Sequence, residues 1–278
     1  MNKLDSLSLA VMAKFDSKDI RRFSVLGVQV AATKISDVIS LIETWIAGKD
    51  CARYIILGGM HGLMEAHRRS DVRRAFQTAD LVVPDGMPLV WLGRLHKLAP
   101  TKRRVYGPEL MREFCKITQG TYKHFLYGGN EGVATQLAQV LTKSFGTHVV
   151  GTITPPFRPQ TEIELLKDVA TIHESEADVI WVGMSTPKQD LLMHRIRPHL
   201  KPCVMLGVGA AFDFNTGLKK TAPPWIQDHG LEWAFRLINE PSRLWFRYLV
   251  LGPQFIALAS IDFIQQKISK KIFGKQQI

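Results

Sequence analysis

The chain has 278 residues, 46% of them hydrophobic, enough for one large α/β domain or one domain with an appendage, and for a sizeable core. Lys and Arg number 36 against 25 Asp and Glu, a formal charge of +11, which points to an anionic partner: a phosphorylated substrate, an anionic membrane surface or nucleic acid. Cys51, Cys115 and Cys203 are far apart and form no CxxC pair, which argues against a disulfide framework and a zinc site and for a reducing cytoplasm, with all three as small buried hydrophobes.

Residues 1–22 contain Asp5, Asp16 and Asp19 and no continuous apolar stretch, so they read as a leader extension rather than a signal peptide. Phe23 to Val30 alternates enough for one or two strands, and Ile35, Val38, Ile39, Ile42, Trp45 and Ile46 recur at helical spacing. Tyr54-Ile55-Ile56-Leu57 is a buried strand ended by Gly58-Gly59, and one polar helix is expected from about His61 to Thr78. Leu81-Val82-Val83 is the next strand, stopped by Pro84, with Pro88 suited to the first turn of the helix that follows.

The same alternation continues. Gly107-Pro108 opens a helix through Leu110, Met111, Phe114 and Ile117. Strand His124–Tyr127 stops at Gly128-Gly129 and leads to a helix from Glu131 to about Lys143. Strand His148–Gly151 leads to Pro155-Pro156, then a helix from about Glu162 to His173. Strand Val179–Val182 ends at Gly183 with a helix from about Lys188, and strand Cys203–Leu206 ends at Gly207-Val208-Gly209. Strands alternating with helices through short connections predict a Rossmann-like, mostly parallel sheet with helices on both faces. Right-handed crossovers then gather the strand ends along one rim of a core spanning 23–221.

On that rim, glycines let backbone N–H groups approach an anion, and helix N-termini favour negative charge. No GxGxxG or GxxxxGK[ST] is present; Gly128-Gly129-Asn130-Glu131-Gly132 has the position but not the spacing of a dinucleotide fingerprint. The glycines together point to a phosphate-bearing ligand. Asp85 sits just past a strand, where open α/β sheets bind ligands and where a carboxylate can take a proton from an attacking hydroxyl. Its blander reading is an N-cap of the next helix. Lys188 and Gln189 open a helix at the rim, facing a phosphate or sugar hydroxyl or simply solvent, and Arg104 carries the same two readings. Asp213, between Phe212 and Phe214, needs a partner from the protein or a ligand. His61, Glu65 and His67 are not in HExxH order, so zinc hydrolysis has little support and His61 is of interest only for its nearness to the cleft.

From Ala222 the text changes. Between Pro241 and Ile278, Arg243, Arg247, Lys267, Lys270, Lys271 and Lys275 face one acid, Asp262, with aromatic and apolar residues interleaved. Residues 222–278 therefore read as a basic, amphipathic appendage at a membrane interface, or as helices packed on the core with a solvated basic face. No run of about 18 apolar residues occurs: Tyr248 to Ile264 comes nearest but is interrupted by Pro253, Gln254 and Asp262, so membrane contact is expected to be peripheral. No nucleic-acid reader motif appears.

Four phrases in order carry a resemblance: Ala79 to Pro88, Gly183-Met184-Ser185-Thr186-Pro187-Lys188-Gln189, Gly207 to Phe214, and Gly230-Leu231-Glu232-Trp233 through Arg236 to Glu240-Pro241. From about Val25 to Tyr248 the chain resembles the bacterial WecG/TagA/CpsF glycosyltransferases of enterobacterial common antigen, wall teichoic acid and exopolysaccharide synthesis. The resemblance implies an inverting transferase without metal or other cofactor, moving a sugar from a UDP-sugar to a polyprenyl-diphosphate-linked saccharide at the inner face of the cytoplasmic membrane. By that match Asp85 is the general base, Arg104 and Gln189 contact donor or acceptor sugar, Asp213 contacts the nucleotide, and Arg236, Arg243 and Arg247 bind the lipid diphosphate. Gly58, Gly59, His61, Gly128, Gly129, Pro155, Pro156, Gly183, Lys188, Gly207 and Gly209 complete the expected substrate rim. Many members carry Thr-x-Asn where this chain reads Leu57-Gly58-Gly59-Met60-His61, so N-acetylmannosamine, glucose and a uronic acid all stay open as donor sugars. The rivals are a non-catalytic nucleotide-sugar or membrane-surface binding module and a nucleic-acid-binding protein; homo-oligomerisation is left open.

Overall fold

The computed structural model describes residues 17–98 and 103–273. The expected leader thus falls mostly outside the described residues. Strands β1 (Arg22–Val25) and β2 (Val28–Ala31) form an antiparallel hairpin. Leu26 and Gly27 turn it with φ of 52° and 81°, the paired positive φ of a tight hairpin turn. Six parallel strands form the sheet: β3 (Arg53–Gly58), β4 (Leu81–Pro84), β5 (Lys123–Gly128), β6 (His148–Ile153), β7 (Val179–Gly183) and β8 (Val204–Gly207), in the order β4-β3-β8-β7-β5-β6.

The strand pattern builds two cores. Successive residues of β3 alternate sides, with Tyr54 and Ile56 facing one cluster and Ile55 and Leu57 the other. The Ile55 side is covered by α1 (Ile35–Gly48), α5 (Gly107–Thr118) and α6 (Val133–Phe145) through residues such as Ile42, Phe114 and Leu141. The Ile56 side is covered by α2 (Met60–Arg68), α3 (Ser70–Gln77), α7 (Glu162–Ser175) and α8 (Lys188–Ile196) through Leu63, Phe76, Val169 and Met193. Helix α4 (Met87–Leu95) follows β4, and α9 (Ala211–Asn215) follows β8. The expected α/β architecture is what the chain adopts.

Two local expectations differ. The single helix over His61–Thr78 is two, because Arg69 is extended (φ −124°, ψ 124°) and its guanidinium pairs with Asp71 at 2.7 Å. Cys115 and Cys203 are buried as expected, but Cys51, in the turn before β3, is exposed.

The C-terminal segment is helical: α10 (Pro224–Asp228), α11 (Glu232–Asn239), α12 (Pro241–Trp245), a π turn at Phe246–Val250 and α13 (Leu251–Phe273). Pro241–Ser269 runs as one helix of 29 residues, long and apolar enough by length and composition to cross a membrane, where the sequence reading expected an interrupted stretch. Pro253 follows the π turn, where the i→i−4 ladder is already interrupted. Gln254 accepts from Arg68 at 2.6 Å, and Asp262 accepts from the Leu26 N–H at 2.7 Å. Both polar side chains are thus occupied on the protein side. Phe255 and Ala259 pack into the core, while Ile256, Ile261, Ile264 and Ile268 are exposed.

Candidate active site

The carboxyl ends of the strands open into one cleft of about 610 Å³. Gly59 and His61 line it after β3, Asp85 after β4, Gly129 after β5, and Pro155 and Pro156 after β6. Gly183, Lys188 and Gln189 follow β7, Gly207, Gly209 and Asp213 follow β8, and Arg236, Arg243 and Arg247 reach in from the C-terminal helices. Gly58, Gly128 and Arg104 are not among the lining residues. Gly128 serves packing instead: its φ is 121°, and a Cβ there would lie 2.6 Å from the Gly183 carbonyl oxygen. That close approach lets the Gly129 N–H donate to the Gly183 carbonyl at 2.9 Å and knits β5 to β7 at the rim.

Asp85 is not a helix cap. Gly86 holds the N-cap position of α4, and no side chain caps it. The Asp85 N–H donates to the Gly58 carbonyl at 3.0 Å, holding its backbone against the end of β3. The residue is half-buried at the cleft, and Oδ1 has no hydrogen-bond partner. Burial pushes its pKa up to about 7; Glu232 adds to the rise, while Arg104, Arg236 and the Gly107 amide oppose it. A carboxylate balanced near neutrality can exchange a proton at physiological pH.

Arg104 acts on Asp85 from behind the cleft wall. It forms an ion pair with the buried Glu232, donates to Gln227 Oε1 at 3.5 Å and lies 4.0 Å over the Tyr106 ring. Glu232 was quoted within a phrase of the sequence but given no role. The signal was an acid inside an otherwise apolar and aromatic helix start, where burial demands a cation.

The remaining side chains divide into scaffold and surface. Gln189 is buried and its Oε1 accepts from the Gly209 N–H at 3.0 Å, so it fixes the glycine turn after β8. Asp213 has the partner it required: Lys219 at 3.0 Å, which also pairs with Glu240 at 3.2 Å. Lys219 lines the cleft and was not anticipated. Lys188 lies 5.3 Å over the exposed Phe157 ring at the cleft mouth. His61 is pushed down to about 4, mainly by burial and then by Arg247 and Arg68, so its imidazole is neutral at pH 7 and its Nδ1 is buried without a partner. Asp190, behind Gln189, is buried and raised to about 7 by that burial.

The C-terminal helices make the cleft cationic. Arg236 lies 5.7 Å over the Phe214 ring, Arg243 pairs with Glu240, and burial with the like charges of Arg243 and Arg236 holds Arg247 below its ordinary value. Lys219, Arg236, Arg243 and Arg247 line the cleft against Asp213 there and Glu240 paired behind them, leaving excess positive charge for an anion. The family model for the glycosyl transferase WecG/TagA/CpsF family matches residues 23–271, which spans the sheet, Asp85 and the arginine-bearing helices alike. The chain belongs to the WecG/TagA/CpsF family of glycosyltransferases.

Proposed function

We propose that the protein is an inverting, metal-independent glycosyltransferase that moves a hexose from a UDP-sugar to a saccharide on a polyprenyl diphosphate, in bacterial surface or exopolysaccharide synthesis. The observation that carries this reading is Asp85, a carboxyl near neutrality at a strand end with Oδ1 unpartnered, in one cleft with Arg236, Arg243 and Arg247. The acceptor hydroxyl gives its proton to Asp85 as its oxygen bonds to the anomeric carbon. The bond from that carbon to the diphosphate oxygen breaks on the opposite face, and its electron pair leaves with UDP. Strand-end N–H groups, helix N-termini and the cations lining the cleft hold the diphosphates of donor and lipid carrier, doing the charge stabilisation for which a metal ion would otherwise serve. The donor is N-acetylmannosamine, glucose or a uronic acid. Residues 222–278 act as an appendage at the inner face of the cytoplasmic membrane, with the exposed isoleucines of α13 in the interface and the cleft arginines toward the lipid diphosphate.

A thermal-shift titration tests the donor side. UDP at about 100 times its Kd stabilises by about 2.7 kcal/mol, a rise of roughly 5–10 °C for a domain of this size. A shift with oligonucleotides and none with UDP would overturn the reading. A panel of UDP-sugars offered with polyprenyl-diphosphate glycans then identifies the donor.

The Arg104–Glu232 pair makes a second prediction. Glu232→Gln removes a charge that raises Asp85 and leaves Arg104 free to lower it further. The acid limb of the kcat/KM–pH profile therefore moves to lower pH. An acid limb at the wild-type position would show that the appendage charge does not reach the base.

A further inference from the structure

We infer that Tyr106 is a substrate-binding group of the same site, its hydroxyl donating to an oxygen of the acceptor saccharide beside Asp85. This deepens, and rests on, the transferase reading.

Tyr106 lines the cleft with Asp85. Its Oη is buried and has no hydrogen-bond partner, as is also true of Asp85 Oδ1. Two orphaned polar atoms on one wall are costly unless a ligand or water meets them. They are also complementary, since a phenol donates where a carboxylate accepts. A sugar presents vicinal hydroxyls that suit both at once: one gives a hydrogen to Asp85, and its neighbour accepts from Tyr106.

The placement of Tyr106 is rigid. The Val105 N–H donates to the Pro84 carbonyl at 2.8 Å, so the strip Arg104–Tyr106 is bonded to the residue just before Asp85. The residue is 5% exposed, with the Arg104 guanidinium 4.0 Å from its ring centroid and the Phe214 ring centroid 6.1 Å away. Packed in this way, its hydroxyl loses little freedom on binding a ligand. Burial, Glu232 and Asp85 all raise its pKa, so the phenol remains protonated throughout the working range. It is a donor held in place, not a second base.

The test is Tyr106→Phe, which removes one oxygen and keeps the ring. Undecaprenyl-diphosphate monosaccharides carrying glucose, galactose or N-acetylglucosamine serve as acceptors, with the UDP-sugar that wild type uses. The expected result is a rise of about 2–13-fold in acceptor KM, the range for one hydrogen bond to a neutral group. The affinity for UDP stays at its wild-type value, because the deleted oxygen is assigned to the acceptor. The melting temperature stays level or rises, because deleting an unpartnered buried hydroxyl removes a cost. A fall in melting temperature with an unchanged acceptor KM would make Tyr106 a structural residue and overturn the inference. An unchanged KM in a variant of unchanged stability would overturn it equally. If wild type binds no UDP and uses none of these acceptors, the transferase reading fails, and this inference with it.

Discussion

Asp85→Asn is expected to lower glycosyl transfer by about 10²–10⁴-fold, the usual contribution of a positioned general base. The amide keeps the shape of the side chain but cannot take the acceptor proton. UDP affinity should hold, since the amide fills the same space and the cations lining the cleft are all retained. Wild-type activity should fall as pH drops below about 7, where Asp85 becomes protonated and unable to act as a base. Stability runs the other way. A carboxyl whose folded pKa lies above its unfolded value favours folding while protonated, and that advantage is lost as pH rises from its ordinary value of 3.8 through about 7. Asp85→Asn should therefore melt higher than wild type above pH 7, because it no longer buries a charge. Rapid-quench transfer assays and melting curves against pH check both halves. Full turnover in the purified variant would remove Asp85 from the mechanism.

Replacing Ile256, Ile261, Ile264 and Ile268 together by Gln should release the protein from anionic liposomes. These side chains are 63%, 53%, 55% and 53% exposed, so folding depends little on them. Counting about 1 kcal/mol of interfacial transfer for each, below the usual value for full burial, the four together amount to about 10³-fold in partition. Activity on lipid-linked acceptor should fall with membrane binding, while UDP affinity and melting temperature remain near wild type. Co-sedimentation with phosphatidylglycerol vesicles measures it directly. Unchanged sedimentation would place the membrane contact elsewhere, and resistance of the wild-type protein to an alkaline carbonate wash would favour a crossing helix over an interfacial one.

Much of the site was legible before any coordinates. Short apolar strands ended by Gly or Pro, separated by amphipathic helices, encode a parallel sheet locally, and such a sheet collects its strand ends on one rim. That logic places Asp85, Gly129, Gly183, Gly207 and Gly209 at a common cleft from periodicity alone. That Asp85 does not cap the helix is decided by the fold, in which Gly86 takes the N-cap and one Asp85 carboxyl oxygen is left without a partner.

What the tertiary structure decided lies in contacts between distant segments. Arg104 is read from the sequence as a sugar contact, yet it meets Glu232, 128 positions away, and reaches Asp85 through its field. Gly128 is expected at the ligand and instead allows β5 to approach β7. Pro253, Gln254 and Asp262 look like breaks in an apolar run, but a π turn and bonds to Arg68 and Leu26 absorb them into one long helix. Sequence periodicity records which face of an element is apolar, because that pattern repeats within a few residues. It does not record which charge a buried charge will meet, since Coulomb energy and desolvation depend on distances that exist only once the chain has folded.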